Sequence, residues 1–162
     1  MSKVSVSLNV NGLTHQVVVE PRQTLADVLR EECGLTGTHL GCEHGVCGAC
    51  TVSLDGVPAR ACLIYGVMAE GMEIRTVESL AHGNDLHPLQ RAFMRHHALQ
   101  CGYCTPGFLM LLATSLEANP YRDAAEMREL ISSNLCRCTG YQNIVAAAED
   151  YAAELRAERS AA

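Results

Sequence analysis

From Val4 to Val10 the apolar side chains fall on alternate positions, Val4, Val6, Leu8 and Val10, and an apolar run, Val17 to Val19, follows after Asn11-Gly12. A period of two lines one face of a half-buried strand, and an Asn-Gly pair supplies the positive φ angles of a tight turn. The pattern therefore predicts a β-hairpin. Thr24, with Asp27 three residues on, predicts a capped short helix through Leu25, Val28 and Leu29, stopped by Gly34. Between Gly34 and Gly48 five glycines break any helix and leave too little side chain for a core strand, so this stretch is expected to wrap something. Residues 50–54 read as a strand, Asp55-Gly56 as a turn and residues 57–62 as its partner, with a further short strand at 73–76.

After about Ala81 the apolar period lengthens to that of helices. Residues 87–99 open with Pro88 in the first turn and space Leu89, Phe93 and Leu99 helically, and residues 106–117 form a second helix ended by Asn119-Pro120. Asp123 can cap a third helix to about Ser132, and a fourth runs from Asn143 to about Ala157. The chain thus reads as α+β, a β-rich domain over residues 1–80 followed by a four-helix domain over residues 81–162.

Composition changes this picture at one point. Of the 162 residues 48% are hydrophobic, but only 4% are aromatic and Trp is absent, so bulky packing groups are scarce and another source of stability is expected. The nine cysteines are the candidate. Twelve basic against 18 acidic residues give a formal charge of −6, which argues against nucleic acid as a partner, because neutralising phosphates needs a basic face. A membrane role has no support either: the longest apolar stretch, 108–113, is far below the roughly 18 to 20 residues of a span. Residues 1–8 show neither an export pattern nor a twin-arginine pair, which points to the cytoplasm. In a reducing compartment an odd number of thiols is poorly explained by disulfides, and metal ligation becomes the leading reading.

The cysteines fall into two sets. Cys42-x4-Cys47-x2-Cys50, followed by Cys62 on the partner strand, has the spacing of a plant-type [2Fe–2S] site. Small residues between such ligands let backbone N–H groups approach the sulfurs, and Gly45 and Gly48 sit where that would work. Cys101-x2-Cys104 and Cys136-x-Cys138 lie in the two interhelical turns, 100–105 and 135–139, and two such turns at one end of a bundle can bring four sulfurs together. Structural zinc also takes four thiolates and stays an alternative, chiefly for this second set. A Rieske centre does not fit, because Cys50 stands where the second histidine is needed. Cys33 belongs to neither set and reads as a small buried hydrophobe, and the seven histidines read as solvated or packing groups. No GxGxxG after a strand, no P-loop and no Ser/His/Asp order is present, so the chain has no catalytic site of its own and is expected to move electrons.

Three segments carry a family resemblance: Gly41-Cys42 with Cys47-Gly48-Ala49-Cys50-Thr51-Val52, then residues 99–107 (Leu-Gln-Cys-Gly-Tyr-Cys-Thr-Pro-Gly), then residues 134–141 (Asn-Leu-Cys-Arg-Cys-Thr-Gly-Tyr). In this order they resemble the iron–sulfur small subunit of the molybdenum hydroxylases, the family of xanthine dehydrogenase, aldehyde oxidoreductase and CO dehydrogenase. The resemblance spans about residues 3 to 155. It implies a ferredoxin-like (β-grasp) domain and a four-helix domain with one [2Fe–2S] cluster each. Cys42, Cys47, Cys50 and Cys62 would hold the cluster nearer FAD, and Cys101, Cys104, Cys136 and Cys138 the one nearer molybdenum. It also implies that Gln100 and Cys138 contact the molybdopterin cofactor; a hydrogen bond that stabilises the turn is the plainer role for Gln100. Arg137, between two ligands, is balanced between charge compensation or an interface contact and simple solvation. A chain ending at Ala162 without flavin or molybdenum domains resembles the separate-subunit arrangement. Its partners would then be a large molybdopterin-binding and a medium FAD-binding subunit in a dimer of heterotrimers. An autonomous two-cluster ferredoxin is the alternative.

Overall fold

The computed structural model describes residues 2–161, so the outermost limits of the two expected domains, 1 and 162, lie outside the described residues. The hairpin forms as expected, β1 (Val4–Val10) pairing antiparallel with β2 (Leu13–Val19) in the register Val4 to Val19 and Val10 to Leu13. Its return strand starts at Leu13, earlier than the apolar run at 17–19, because backbone pairing continues through exposed Leu13 and Thr14 right up to the Asn11-Gly12 turn. The sheet order is β2-β1-β5-β3-β4, with β3 at Thr51–Leu54, β4 at Val57–Arg60 and β5 at Glu73–Arg75. β5 runs parallel to β1 and antiparallel to β3, which joins the hairpins into one sheet.

One sequence expectation is corrected here. Cys62 is not on β4: the strand ends at Arg60, and residues Ala61–Leu63 turn as a 3₁₀ helix. Pairing of β3 with β4 closes at Thr51 and Arg60, beyond which the Ala61 N–H reaches Cys50 O at 3.2 Å. The turn that follows buries Ala61 and Cys62 and leaves Leu63 exposed.

Helix α1 (Leu25–Asp27) starts with the anticipated capping box, since Thr24 Oγ1 accepts from Asp27 N at 3.1 Å and Asp27 Oδ2 accepts from Thr24 N at 3.2 Å. It continues as a π-helical turn, Val28–Glu32, and packs Leu25, Ala26, Val28 and Leu29 under the sheet beside Val6, Leu8, Val52 and Ile74. These residues form the first core.

The helical half contains α2 (Pro88–Arg95), α3 (Thr105–Ala118), α4 (Ala124–Ser132) and α5 (Tyr141–Ala161). Helix α2 ends earlier than expected because His97 takes a φ of 50°. Asp123 caps α4 by accepting from Ala125 N and Glu126 N at 2.8 and 2.9 Å. Every residue of α3 from Gly107 to Leu116 is buried. A helix apolar on all sides belongs in the middle of a fold, and α3 touches α2 and α5 in the second core and also lies against β3 and β4. Its N-terminus therefore meets the glycine-rich loop of the first half. The two cysteine regions are adjacent as a result.

Candidate metal centres

Residues 34–50 contain no strand or helix, and three thiols sit on them, Cys42, Cys47 and Cys50. The 3₁₀ turn after β4 supplies the fourth, Cys62. Cys50 and Cys62 are buried and their thiols interact, while Cys42 and Cys47 are partly exposed. Burial, and then the neighbouring Cys50, push Cys62 up to about 11 although the Gly45 N–H reaches its sulfur. For Cys42 burial also opposes ionisation, but N–H groups of Cys47, His44 and Val46 outweigh it and bring the thiol down to about 6. The Cys47 N–H stands 3.3 Å from Cys42 Sγ. A side chain at Gly41 would begin 3.1 Å from Cys47 Sγ, a tight contact that would press on that sulfur.

The second set forms between turns. Cys101 and Cys104 precede α3, Cys136 and Cys138 precede α5, and the thiols are neighbours across the turns, Cys101 beside Cys138 and Cys104 beside Cys136. Burial, followed by the adjacent Cys136 thiol, pushes Cys104 up to about 12; the Tyr103 N–H and the Cys138 thiol lower fully exposed Cys101. Gly140 N lies 3.4 Å from Cys136 Sγ, and the Cys136 N–H donates to Tyr141 Oη at 2.8 Å, which fixes the turn. A cavity of about 440 Å³ opens here, lined by Cys101, Cys104, Cys136, Cys47 and Tyr141 among others. Among the described residues no three ligating side chains converge on one point as a single ion would need. Four neighbouring thiols are the donor set that a two-iron centre would take. The donor chemistry, the N–H groups aimed at sulfur and the glycine cradle all fit such a group.

Other expected residues are placed as follows. Gln100 Nε2 donates to Cys138 O at 3.3 Å, so it ties one cysteine turn to the other. Arg137 is exposed at the rim of the cavity. Cys33 is only half-buried at the margin of the first core, where burial raises its thiol, rather than fully enclosed. Three histidines do more than the sequence suggests: His87 caps α2, His96 stands 3.0 Å from Asp150, and His39 stacks on Tyr103 with ring centroids 4.7 Å apart.

The contacts that join the two sets were not readable in advance. The Leu135 N–H donates to Cys47 O at 2.9 Å, and Asn134 Nδ2 donates to Gly48 O at 3.1 Å. Arg60 donates to Ser133 O at 2.7 Å and to Thr51 Oγ1 at 2.5 Å. On the other side, Tyr103 Oη donates to Leu40 O at 2.6 Å, and His39 Nδ1 faces the Tyr103 carbonyl at 2.8 Å. A carbonyl only accepts, so that ring nitrogen carries the proton. Gly48, expected to serve sulfur, has a φ of +72° that favours glycine by itself, and Asn134, whose Oδ1 would lie 2.0 Å from a Cβ, adds to that demand.

Comparison with known proteins agrees with this geometry. The family described as 2Fe-2S iron-sulfur cluster binding domain matches residues 8–73, and that described as [2Fe-2S] binding domain matches residues 76–149. The chain is 58% identical to caffeine dehydrogenase subunit gamma of Pseudomonas sp. (strain CBB1), over 90% of this chain and 89% of that one. It is 55% identical to the nicotine 6-hydroxylase small subunit of Paenarthrobacter nicotinovorans, over 91% and 89%. Among solved structures, a chain of quinoline 2-oxidoreductase from Pseudomonas putida 86 superposes with a TM-score of 0.92 at 50% identity, covering 98% of both chains.

Proposed function

Because the chain belongs to the iron–sulfur small subunits of the molybdenum hydroxylases, we propose that it relays electrons from a molybdopterin subunit to an FAD-binding subunit while the complex hydroxylates a small substrate. It is an oxidoreductase subunit with two 2Fe-2S-binding domains. A [2Fe–2S] cluster, when bound, accepts and releases one electron at a time. Cys42, Cys47, Cys50 and Cys62 hold one cluster, and Cys101, Cys104, Cys136 and Cys138 the other. The closeness of Cys50 to Cys62, Cys101 to Cys138 and Cys104 to Cys136 supports this assignment. The N–H groups of Cys47 and Gly140 orient and partly neutralise thiolate sulfurs, and the buried walls at Cys50 and Cys62 keep water from the first centre.

The observation that carries the function is the direct backbone bond from Leu135 to Cys47, which joins the two cysteine regions. The domains are taken as 1–80 and 81–162, supported by two cores, one within residues 6–74 and one that Leu80 already joins from the end of the first domain. The partners are a large molybdopterin-binding and a medium FAD-binding subunit in a dimer of heterotrimers, working in the cytoplasm, where reducing conditions keep nine thiols available. Gln100 and Cys138, joined at the outer turn, face the pterin. None of this chain's residues selects the substrate; the names of its relatives, caffeine dehydrogenase and nicotine 6-hydroxylase, favour an N-heteroaromatic compound.

Electron paramagnetic resonance of the reduced native protein tests the assignment. Two distinct S = 1/2 signals per chain are expected, in a preparation that carries the larger subunits with it. A single signal, or zinc in place of iron, would overturn the reading.

A further inference from the structure

Asn134 is completely buried between two exposed neighbours, Ser133 and Leu135. Its Nδ2 donates to Gly48 O, and its Oδ1 is buried without a hydrogen-bond partner. A buried acceptor left without a partner is a cost that a purely stabilising residue would avoid. Nor does Gly48 need the bond, because its carbonyl already accepts from Thr51 N at 3.2 Å and Thr51 Oγ1 at 2.6 Å. What Asn134 adds is placement. Its amide lies against Gly48, the residue between Cys47 and Ala49-Cys50, so close that no Cβ could stand between them. The next residue, Leu135, donates to Cys47 O, and the one after it is Cys136. Arg60 holds the preceding carbonyl, that of Ser133.

We infer that Asn134 is a positioning residue for electron exchange between the two centres, seating the 133–135 strap on the first cysteine loop so that Cys47 and Cys136 keep a fixed separation. This rests on the two-cluster reading above. Electron exchange falls steeply with distance, and a strap free to slide would spread the separation over a range of values. The Leu135 bond fixes one point of the strap and the long Arg60 side chain reaches Ser133 O only from the exposed side, so the buried Asn134 amide is the rigid second point that stops the strap from pivoting.

The test uses the reduced holoprotein and the Asn134→Ala variant. Low-temperature paramagnetic resonance reads the magnetic interaction between the two reduced centres, and hydrogen–deuterium exchange with mass spectrometry reads the backbone of residues 133–137. The variant should keep its iron and both signals, lose the defined intercluster interaction, and exchange the strap amides about fivefold to tenfold faster. In Gly48→Ala the new methyl group should disturb the interaction in the same way, and adding Asn134→Ala should relieve part of that disturbance, since the collision partner is then gone. If Asn134→Ala does not accumulate folded, Asn134→Ser, too short to reach Gly48 O, takes its place. Unchanged interaction and unchanged exchange in a folded variant would overturn the inference. A single signal in the unaltered protein would overturn the two-cluster reading instead.

Discussion

Replacing Gly107 by alanine probes the contact on which the adjacency of the two centres depends. At an open position in a helix this change is favourable by up to about 1 kcal/mol, because alanine is the better helix former. Gly107 has no such freedom. Its Cβ would lie 2.3 Å from Gly48 O and 3.0 Å from both Cα and O of Ala49. All three are backbone atoms, so no side chain can swing aside. Bringing the shortest contact from 2.3 Å to the 3.0 Å floor of real Cβ contacts requires α3 and the cysteine loop to part by about 0.7 Å. Overpacking costs about 1–3 kcal/mol, and with three backbone contacts the upper part of that range, about 2–3 kcal/mol, applies; set against a gain of up to about 1 kcal/mol, this reverses the sign expected from propensity and leaves a net loss of about 1–2 kcal/mol. For a chain of this length that corresponds to an apparent melting temperature lower by about 2–8 °C. Differential scanning measurements on the holoprotein, alongside visible circular dichroism of the clusters, would read both the loss and the altered seating of the two loops. A melting temperature equal to or above that of the unaltered protein, with an unchanged cluster spectrum, would refute the reasoning.

Two further outcomes are expected. Cys104→Ser should halve the iron bound per chain and remove one of the two paramagnetic signals, checked by iron analysis and spectroscopy on one sample; full iron content would contradict the ligand set. At the junction of the halves, the His87 ring, against the opposing effect of burial and with help from Arg75 at 3.1 Å, holds Glu117 below the ordinary glutamate value of 4.5. A lowered carboxylate stabilises the fold above its unfolded value and loses that contribution as pH falls through the folded one. Glu117→Gln should therefore melt lower than the unaltered protein above pH 4.5, and the difference should shrink below it; a difference that grows on acidification would contradict the assignment.

The elements themselves, and both cysteine sets, could be read from local chemistry. Alternation at Val6, Leu8 and Val10, the Thr24–Asp27 box, Pro88 in a first turn and the Asp123 cap act within a few residues of themselves, and each appears where local physics puts it. The spacing of Cys42, Cys47 and Cys50 is equally local, since they share one loop. Cys62 marks where this stops. Whether β4 extends to it depends on where pairing with β3 ends, and that is a property of the assembled sheet. The pairing of Cys101 with Cys138 and of Cys104 with Cys136 likewise follows from how α3 and α5 pack, not from spacing along the chain. The junction lay entirely beyond local reach. Asn134 and Gly48 are 86 positions apart, and neither residue carries a mark of the other, because their contact exists only once α3 has settled against the sheet and brought the two loops within hydrogen-bond distance. Short-range propensity and motif spacing are written residue by residue; the distance between the two centres is set by long-range packing, which no window along the chain contains.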